Sequence, residues 1–249
     1  MHTTTHLSRL LVAAALAGLA TSAQAQLKLE CPAGAGLGDP ATPLTTYTGA
    51  DGVWEKRYGT TGTWDPAVTG NKHPAWYPGG GAAPANGSWL MPAPFPTPNA
   101  VPTDEPYYYR SPVITVDAQV NESSIKVEIQ QATDNHYLAT GIDNTNGESY
   151  IPHPQADSFG VLSAVFAPSL TWVTGANRLL LHTKNQETIY GPGAANPTGV
   201  YATFKITATC KARPAPAQAQ AVPVDAPWAL LLAGTTLTAF GARRLRKKR

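Results

Sequence analysis

Cysteine is scarce in this sequence, since only Cys31 and Cys210 occur among 249 residues. No Cys/His cluster surrounds either one, which excludes a cysteine-based zinc site. Each cysteine ends a stretch of alternating apolar and polar residues, at 27–31 and 200–210. Inward-facing cysteines on the first and last strands are well placed to pair in an oxidising envelope compartment. We therefore expect a Cys31–Cys210 disulfide.

Familiar catalytic motifs are also lacking. The sequence contains no GxSxG, HExxH or P-loop pattern. Of the six histidines, two lie within the first six residues, and the other four, at positions 73, 136, 153 and 182, stand apart from any cysteine or HExxH spacing. Two carboxylates on a sheet could hydrolyse a glycoside, but nothing in the sequence singles out Glu55, Asp65 or Glu148. The sequence favours a protein that is not an enzyme, with a glycoside hydrolase as the less favoured alternative.

The central part of the chain has no net positive charge. The whole sequence has a net charge of +2, but Arg9 and six of the last seven residues are cationic. Between residues 26 and 221, 11 Lys and Arg stand against 15 Asp and Glu, a net charge of about −4. A folded region without a basic patch is not built to hold a phosphate backbone. Nucleic acid is therefore excluded as an expected partner.

Long apolar runs occur only towards the two ends. The first follows Arg9, extends from Leu10 to Ala20 and precedes Ala23-Gln-Ala25. A weakly cationic start, an apolar stretch and an Ala-x-Ala site are typical of a signal peptide. We predict a signal peptide over residues 1–25 that directs the chain to the secretion translocon; the alternative is a buried N-terminal helix.

The second apolar run covers residues 226–242 and carries no charge, and six Lys and Arg follow at 243–249. This pattern predicts a C-terminal transmembrane helix with the basic tail in the cytoplasm and the domain outside. An amphipathic helix on the membrane surface is the alternative. A Pro/Ala/Gln linker at 211–221 precedes the tail and predicts an extended spacer.

A short motif stands before this helix: Val222, Pro223, Val224 and Asp225, followed by Trp228. Together with the apolar helix and the basic cluster, it resembles the Ile-Pro-Thr-Leu type of C-terminal sorting signal (PEP-CTERM-like) that exosortases handle in Gram-negative bacteria. Pro223 and Trp228 match at the right spacing, whereas valine and aspartate replace the threonine and leucine. The resemblance implies that residues 222–249 are a sorting signal read by an exosortase-like enzyme. It also implies a place in the cell envelope or on the outer surface, with the helix in the membrane at least until processing.

Helical periodicity is absent between the two ends, and strand patterns replace it. Alternating or apolar segments predict strands within 110–120, 125–130, 136–142, 159–167, 178–184 and 199–210. Residues 121–124 suit a hairpin or a short connection. Residues 26–106 are rich in Gly, Pro and aromatics and predict a loop-rich part, with regular strands over 107–210. We expect an all-β domain over 26–210, a two-sheet sandwich or jelly roll of about eight strands.

Three stretches, ATDNHYLATGIDNTNG (132–147), GANRLLLHTKNQ (175–186) and NPTGVYATFKI (196–206), carry a second resemblance. They are similar to galactose-binding-like (discoidin-like) β-sandwich modules of exported bacterial proteins, and Trp89 and residues 107–110 fit the same pattern. The resemblance covers about residues 54–209 and implies the sandwich fold. Many such modules bind sugars and many do not, so the fold alone does not assign a ligand.

Aromatic residues in the loop-rich part are candidates for stacking on sugar rings. Trp64, Trp76 and Tyr77 are the predicted ligand-binding residues, because Trp76 and Tyr77 lie beside prolines and glycines. Trp54 and Trp89 are expected in the core, where large rings contribute most to packing. The alternative for all of these rings is that they plug the sandwich and cover its edges.

Oxygen-bearing side chains cluster at Asp143, Asn144, Asn146 and Glu148. Such groups could hold a structural calcium ion, but their spacing is not that of an EF-hand loop. Asn and Asp also favour tight turns, and the turn interpretation is preferred. No other cofactor is expected. The sequence thus predicts an exported, surface-directed protein that associates with carbohydrate or exopolysaccharide, or alternatively a structural envelope or biofilm-matrix protein without a small ligand.

Overall fold

The computed structural model describes residues 27–70, 72–93, 106–153, 158–185 and 197–213. The described residues up to Ala212 belong to one compact unit. The predicted signal peptide, most of the linker and the sorting signal lie outside the described residues. Within the described ranges, no helix has the length and apolar character needed to cross a membrane.

The described residues form eleven strands and one 3-10 turn. These are β1 (Leu27–Leu29), β2 (Leu44–Tyr47), β3 (Glu55–Tyr58), β4 (Asp65–Pro66), β5 (Pro106–Arg110), β6 (Ile114–Val116), η1 (Glu122–Ser124), β7 (Lys126–Asp134), β8 (His136–Asn144), β9 (Gly147–Pro152), β10 (Gly175–Lys184) and β11 (Gly199–Thr207). The predicted all-β, two-sheet architecture is confirmed. The strand number exceeds the predicted eight because short strands also form at β2–β4, in the part predicted to be loop-rich, and at β9.

Strand β10 organises the larger sheet, which contains eight strands. Its main path runs β1-β6-β10-β5-β3-β4, and β8 pairs with β10 and with β9. The smaller sheet has three strands in the order β2-β11-β7. A 3-10 turn, η1, connects β6 of the larger sheet to β7 of the smaller one, so residues 121–124 form a short connection and not a hairpin.

Alternation along the strands supplies the core between the sheets. Leu179 and Leu181 on β10 and Phe204 and Ile206 on β11 are buried in the core. Trp54 stacks on Phe204 with ring centroids 6.0 Å apart. Burying such side chains stabilises the fold by roughly 1.5–3 kcal/mol each. One apolar cluster therefore joins the two sheets.

The predicted disulfide is confirmed: Cys31 and Cys210 are bonded across a sequence separation of 179. Cys31 follows β1 and Cys210 follows β11. The amide of Cys210 donates to the carbonyl of Asp39, 2.8 Å away. The bond therefore joins the first strand of the larger sheet to the end of the central strand of the smaller one.

The predicted strand at 159–167 is wrong. This segment follows the edge of β7, but it forms only an isolated bridge between Phe166 and Ile129. At Gln131, the amide donates to Ser163 Oγ at 3.1 Å, while the amide of Ser163 donates to the carbonyl of Gln131 at 2.8 Å. A further backbone bond, from Thr133 N to Ser158 O, lies five residues earlier along the chain. The segment therefore meets β7 at separate points without a continuous ladder, and Val161 and Val165 are exposed.

Candidate functional site

The outward side of the larger sheet carries mainly charged and aromatic residues, which cover the buried side chain of Leu180. In the register of the sheet, Arg57 on β3 lies opposite Tyr108 on β5, and Tyr108 lies opposite His182 on β10. Their neighbours Tyr107 and Leu181 point into the core, so these three side chains point away from it. We call this surface the polar face; its members are Glu55, Arg57, Trp64, Tyr108, Arg110, Asp143, Glu148, Tyr150, Arg178 and His182.

An ion pair between a buried arginine and a partly exposed glutamate lies at the centre of the polar face. Arg57 is only 8% exposed, and its Nη2 donates to Glu148 Oε2. The hydroxyl of Tyr150 donates to the same carboxylate oxygen at 2.9 Å. Charge-assisted bonds of this kind hold side chains in fixed positions. Burial, and then the hydrogen bond to Glu148, raise the pKa of Tyr150, which keeps its hydroxyl protonated at neutral pH.

A second charged network surrounds Glu55. Arg110 Nε donates to Glu55 Oε2 at 2.6 Å, and Arg178 Nη1 donates to the same oxygen at 3.1 Å. Arg110 also lies 3.7 Å from Asp143, and Arg178 donates to the carbonyl of Ser111 at 2.7 Å. The hydrogen bond from Arg110 lowers the pKa of Glu55. This carboxylate is therefore ionised and acts as an acceptor.

Aromatic rings cover and separate these charges. The rings of Tyr108 and His182 stack with centroids 4.3 Å apart, and Tyr150 meets Tyr108 edge-on at 5.6 Å. The half-buried ring of Trp64 lies over two guanidinium groups, 4.5 Å from Arg57 Cζ and 4.4 Å from Arg110 Cζ. Such contacts are worth about 0.5–1 kcal/mol at exposed sites and more when desolvated.

Burial makes His182 a neutral member of the polar face. Desolvation lowers its pKa to about 4, because a charged imidazolium is costly away from water. Its Nε2 is buried, and so is Nε of Arg57; within the described parts of the chain neither atom has a hydrogen-bond partner. Both atoms belong to residues that flank Tyr108 in the sheet register.

A glycine makes room for Tyr150 on this surface. Gly141 on β8 pairs with Tyr150 on β9. A Cβ at Gly141 would lie 2.8 Å from Cδ1 of Tyr150 and would also collide with the carbonyl oxygen of Ser149. The missing side chain lets the tyrosine ring lie close to the sheet and approach Tyr108.

The structure separates the three predicted ligand-binding residues. Trp64 lies on the polar face, whereas Trp76 is 1% exposed and stacks on Trp89 with centroids 4.4 Å apart. Trp76 Nε1 donates to Asp134 Oδ2 at 2.8 Å. The prediction of Trp76 as an exposed stacking residue is therefore wrong, because both its ring and its N–H are used inside the fold.

Tyr77 belongs to the same surroundings as Trp76. It is half-buried, lies 5.7 Å from the ring of Tyr201, and its carbonyl accepts Trp89 Nε1 at 2.7 Å. It therefore does not share a platform with Trp64. Trp54 and Trp89 are buried, which confirms their predicted core positions.

The predicted calcium residues are occupied by other contacts. Asn144 and Asn146 form the turn between β8 and β9, in which the amide of Asn146 donates to Asn144 Oδ1 at 2.9 Å. Asp143 lies near Arg110, and Glu148 is bound by Arg57. In the portion of the chain with a described structure, no three His, Cys, Asp or Glu side chains are grouped to hold a metal. The preferred turn interpretation agrees with this geometry.

Sequence reasoning missed most of the polar face, including Arg57, Tyr108, Arg110, Arg178 and His182. A signal was nevertheless present in the charged and aromatic residues that alternate in EKRY (55–58), PYYYR (106–110) and GESYIP (147–152). Alternation places them on one side of a strand. Only the strand order, which brings β3, β5, β10, β8 and β9 together, shows that they share a face.

A groove of about 800 Å³ opens elsewhere, between the start of β7 and residues 167–172. Its aromatic residue, Trp172, is only 5% exposed and belongs to the main core. The charged residues on its walls are Glu122, Lys126 and Glu128, and the two glutamates are paired with Lys211 and Lys205. Because the aromatic ring on the walls of this groove belongs to the core, whereas Trp64 and Tyr150 are partly exposed on the polar face, the polar face is the stronger candidate.

No protein-family model matches the chain, and no curated protein sequence matches it. Among solved structures, the chain is similar to CBM35 from Paenibacillus barcinonensis (TM-score 0.33, 11% identity), with coverage of 65% of this chain and 97% of that one. It is also similar to the K1 cleaved adhesin domain of Lys-gingipain from Porphyromonas gingivalis W83 (TM-score 0.32, 10% identity, 70% and 99% covered). A third is the family 11 carbohydrate-binding module from Clostridium thermocellum, in complex with a β-1,3-1,4-mixed-linked tetrasaccharide (TM-score 0.32, 10% identity, 69% and 98% covered). Similarity at this level assigns no ligand to the chain.

Proposed function

We propose that this protein binds carbohydrate, without catalysis, on the polar face of its larger sheet. The observation that carries the proposal is the arrangement of Trp64 and Tyr150, both partly exposed, beside ion-paired arginines and carboxylates on one surface. A pyranose ring has apolar C–H faces and an edge of hydroxyl groups that donate and accept hydrogen bonds. Aromatic rings can pack against the C–H faces, and the paired charged groups can exchange hydrogen bonds with the hydroxyl groups.

The charges on the polar face favour binding over hydrolysis. A glycosidase needs one carboxylic acid with a raised pKa to protonate the leaving oxygen. Glu55 has a lowered pKa, since Arg110 donates to it, and Glu148 already accepts bonds from Arg57 and Tyr150. These carboxylates are held as acceptors. Release of reducing ends from a polysaccharide by the purified protein would contradict this assignment.

Affinity electrophoresis of the detergent-solubilised full chain through gels that contain the exopolysaccharide of its host would test the proposal. We expect retardation of the wild type and a loss of about tenfold in affinity for Trp64→Ala, which corresponds to one stacking contact. Phe159→Ala is the matched control, because Phe159 is an exposed aromatic residue outside the polar face. Unretarded migration of the wild type in gels of every polysaccharide tested would favour the structural, ligand-free role.

We also infer that the protein is exported and held at the cell surface through its C-terminal sorting signal. The support is the signal peptide predicted at 1–25, the motif and helix predicted at 222–242, and the disulfide, which is typical of oxidising compartments. Fractionation of the host would test this inference. The wild type is expected in the envelope, and a chain that lacks residues 222–249 is expected in the medium; equal release of both would contradict it.

A further inference from the structure

We infer that the polar face selects uncharged glycans and rejects acidic ones, an inference that rests on the proposed function. Each arginine of the polar face already has a carboxylate partner. Arg57 is paired with Glu148, and Arg110 and Arg178 share Glu55. Asp143 adds a third carboxylate, 3.7 Å from Arg110. The positive charges of the guanidinium groups are therefore neutralised by the protein's own carboxylates before a ligand binds.

The charges of the ten residues that define the polar face sum to zero; Lys184 lies on the same side of the sheet but beyond them, at the end of β10. Three guanidinium groups stand against the carboxylates of Glu55, Asp143 and Glu148. His182 contributes no charge at neutral pH because it is buried. A surface with no net charge does not attract a polyanion over distance.

An acidic sugar would have to compete with the protein's own carboxylates. To reach Arg57, a uronate would have to lose its hydration and displace Glu148 from a guanidinium that is 8% exposed. The exchange would only replace one carboxylate by another, and Glu148 would lose its bonds from Arg57 and Tyr150. If the uronate approached without displacing Glu148, two like charges would share one arginine. Both routes discriminate against anionic ligands.

Neutral sugar hydroxyls face neither cost. A hydroxyl donates to a carboxylate and accepts from a guanidinium in the same site, so it can bridge an ion pair without separating it. Arg178 and Glu55, both half-buried and 3.1 Å apart, are such a pair. The ring of Trp64 lies over Arg110, which also contacts Glu55, so an apolar sugar face and its hydroxyl edge can be met together.

Affinity electrophoresis of the full chain through a neutral galactomannan or mixed-linkage β-glucan, and through alginate or polygalacturonate, tests the inference. We expect affinity for a neutral polymer to change by less than about twofold between 50 and 500 mM NaCl, because no exposed charge pair forms. Affinity for the acidic polymers is expected to be at least about tenfold weaker at both salt concentrations. Tighter binding to alginate or polygalacturonate at low salt would overturn the inference and leave carbohydrate binding in place. Retardation by neither class would contradict the proposed function itself.

A variant that lacks one carboxylate tests independently whether the ion pairs exclude acidic glycans. Glu148→Gln leaves Arg57 without its carboxylate partner, and we expect the affinity for polygalacturonate in 50 mM NaCl to rise by about fivefold or more. Glu128→Gln is the matched control: it removes the same charge from a carboxylate paired with Lys205, on the smaller sheet. An equal gain in both variants would mean that net charge alone is responsible, and would overturn the inference.

Discussion

At the scale of the residue, two tryptophans 12 positions apart in the chain have opposite environments. Trp76 is buried, stacked on Trp89 and hydrogen-bonded to Asp134, whereas Trp64 is half-buried over two arginines. We expect Trp76→Ala to lower the free energy of unfolding by about 3–5 kcal/mol, the usual cost of emptying a large core site. The corresponding loss for Trp64→Ala is about 1 kcal/mol. Urea denaturation measures both; equal losses would contradict the assigned environments.

The ionisation of Glu122 should make the free energy of unfolding depend on pH in the acid range. Hydrogen bonds from Lys211 and Thr174 lower the pKa of Glu122 from 4.5 to about 2. The folded protein therefore binds fewer protons than the unfolded chain between these values, so the stabilisation is present above pH 4.5 and is lost as the pH falls towards 2. The difference in unfolding free energy between the wild type and Glu122→Gln should shrink over this range. A difference that stays constant from pH 5 to pH 2.5 would show that the carboxylate does not titrate in this way.

Local sequence could not distinguish Trp64 from Trp76, since both lie close to Gly and Pro in stretches with no periodicity. What separates them is a partner far along the chain. Trp76 meets Asp134, 58 positions later, and Trp64 meets Arg110. Trp89 was predicted correctly because most large rings in a small sandwich are buried, and not because of any specific signal.

At the scale of the element, the β8–β9 hairpin carries Tyr150 onto the polar face through the space at Gly141. We expect Gly141→Ala to displace the Tyr150 ring, lower the unfolding free energy by about 1–3 kcal/mol and weaken retention on polysaccharide. Gly160→Ala is the control, because a Cβ there meets nothing within 4 Å. Thermal unfolding and affinity electrophoresis of both variants test this; unchanged retention for Gly141→Ala would remove Tyr150 from the binding surface.

Strands were predictable where alternation was clear. On β7, Val127 and Ile129 are buried while Lys126 and Glu128 are exposed, as the pattern indicated. The short strands β2–β4 had no apolar alternation; they form through pairing with neighbouring strands, β2 with β11, β3 with β5 and β4 with β3. Residues 159–167 were wrongly predicted because their apolar side chains fit a strand pattern. Their backbone meets β7 only at separate points, and Val161 and Val165 are exposed.

At the scale of the whole molecule, the Cys31–Cys210 bond should contribute much of the stability. Chain-entropy arithmetic for a separation of 179 residues gives an upper contribution of roughly 5 kcal/mol. We expect the variant with Cys31→Ser and Cys210→Ser to unfold at a lower temperature than the wild type, and a reductant to shift only the wild type. Calorimetry with and without dithiothreitol checks this. A variant that melts at the wild-type temperature would show that the bond is not a major stabiliser.

The fold class could be predicted from local alternation, and the disulfide from local alternation together with the predicted export of the chain. The polar face could not, because its members extend from Glu55 to His182 and meet only through the order of β3, β5, β10, β8 and β9. The register that pairs Arg57 with Tyr108 and Tyr108 with His182 is a property of the assembled sheet. No short segment of the sequence contains both partners of these pairs.

The Cys31–Cys210 bond also closes the chain into a covalent ring that contains every member of the polar face. A protease that cuts once inside this ring, at any exposed loop, produces two fragments that stay joined through the bond. The cut molecule keeps its strands at high local concentration, and the two pieces separate only after the bond is reduced. In surroundings rich in proteases, the first cleavage therefore leaves a nicked domain that is still one molecule.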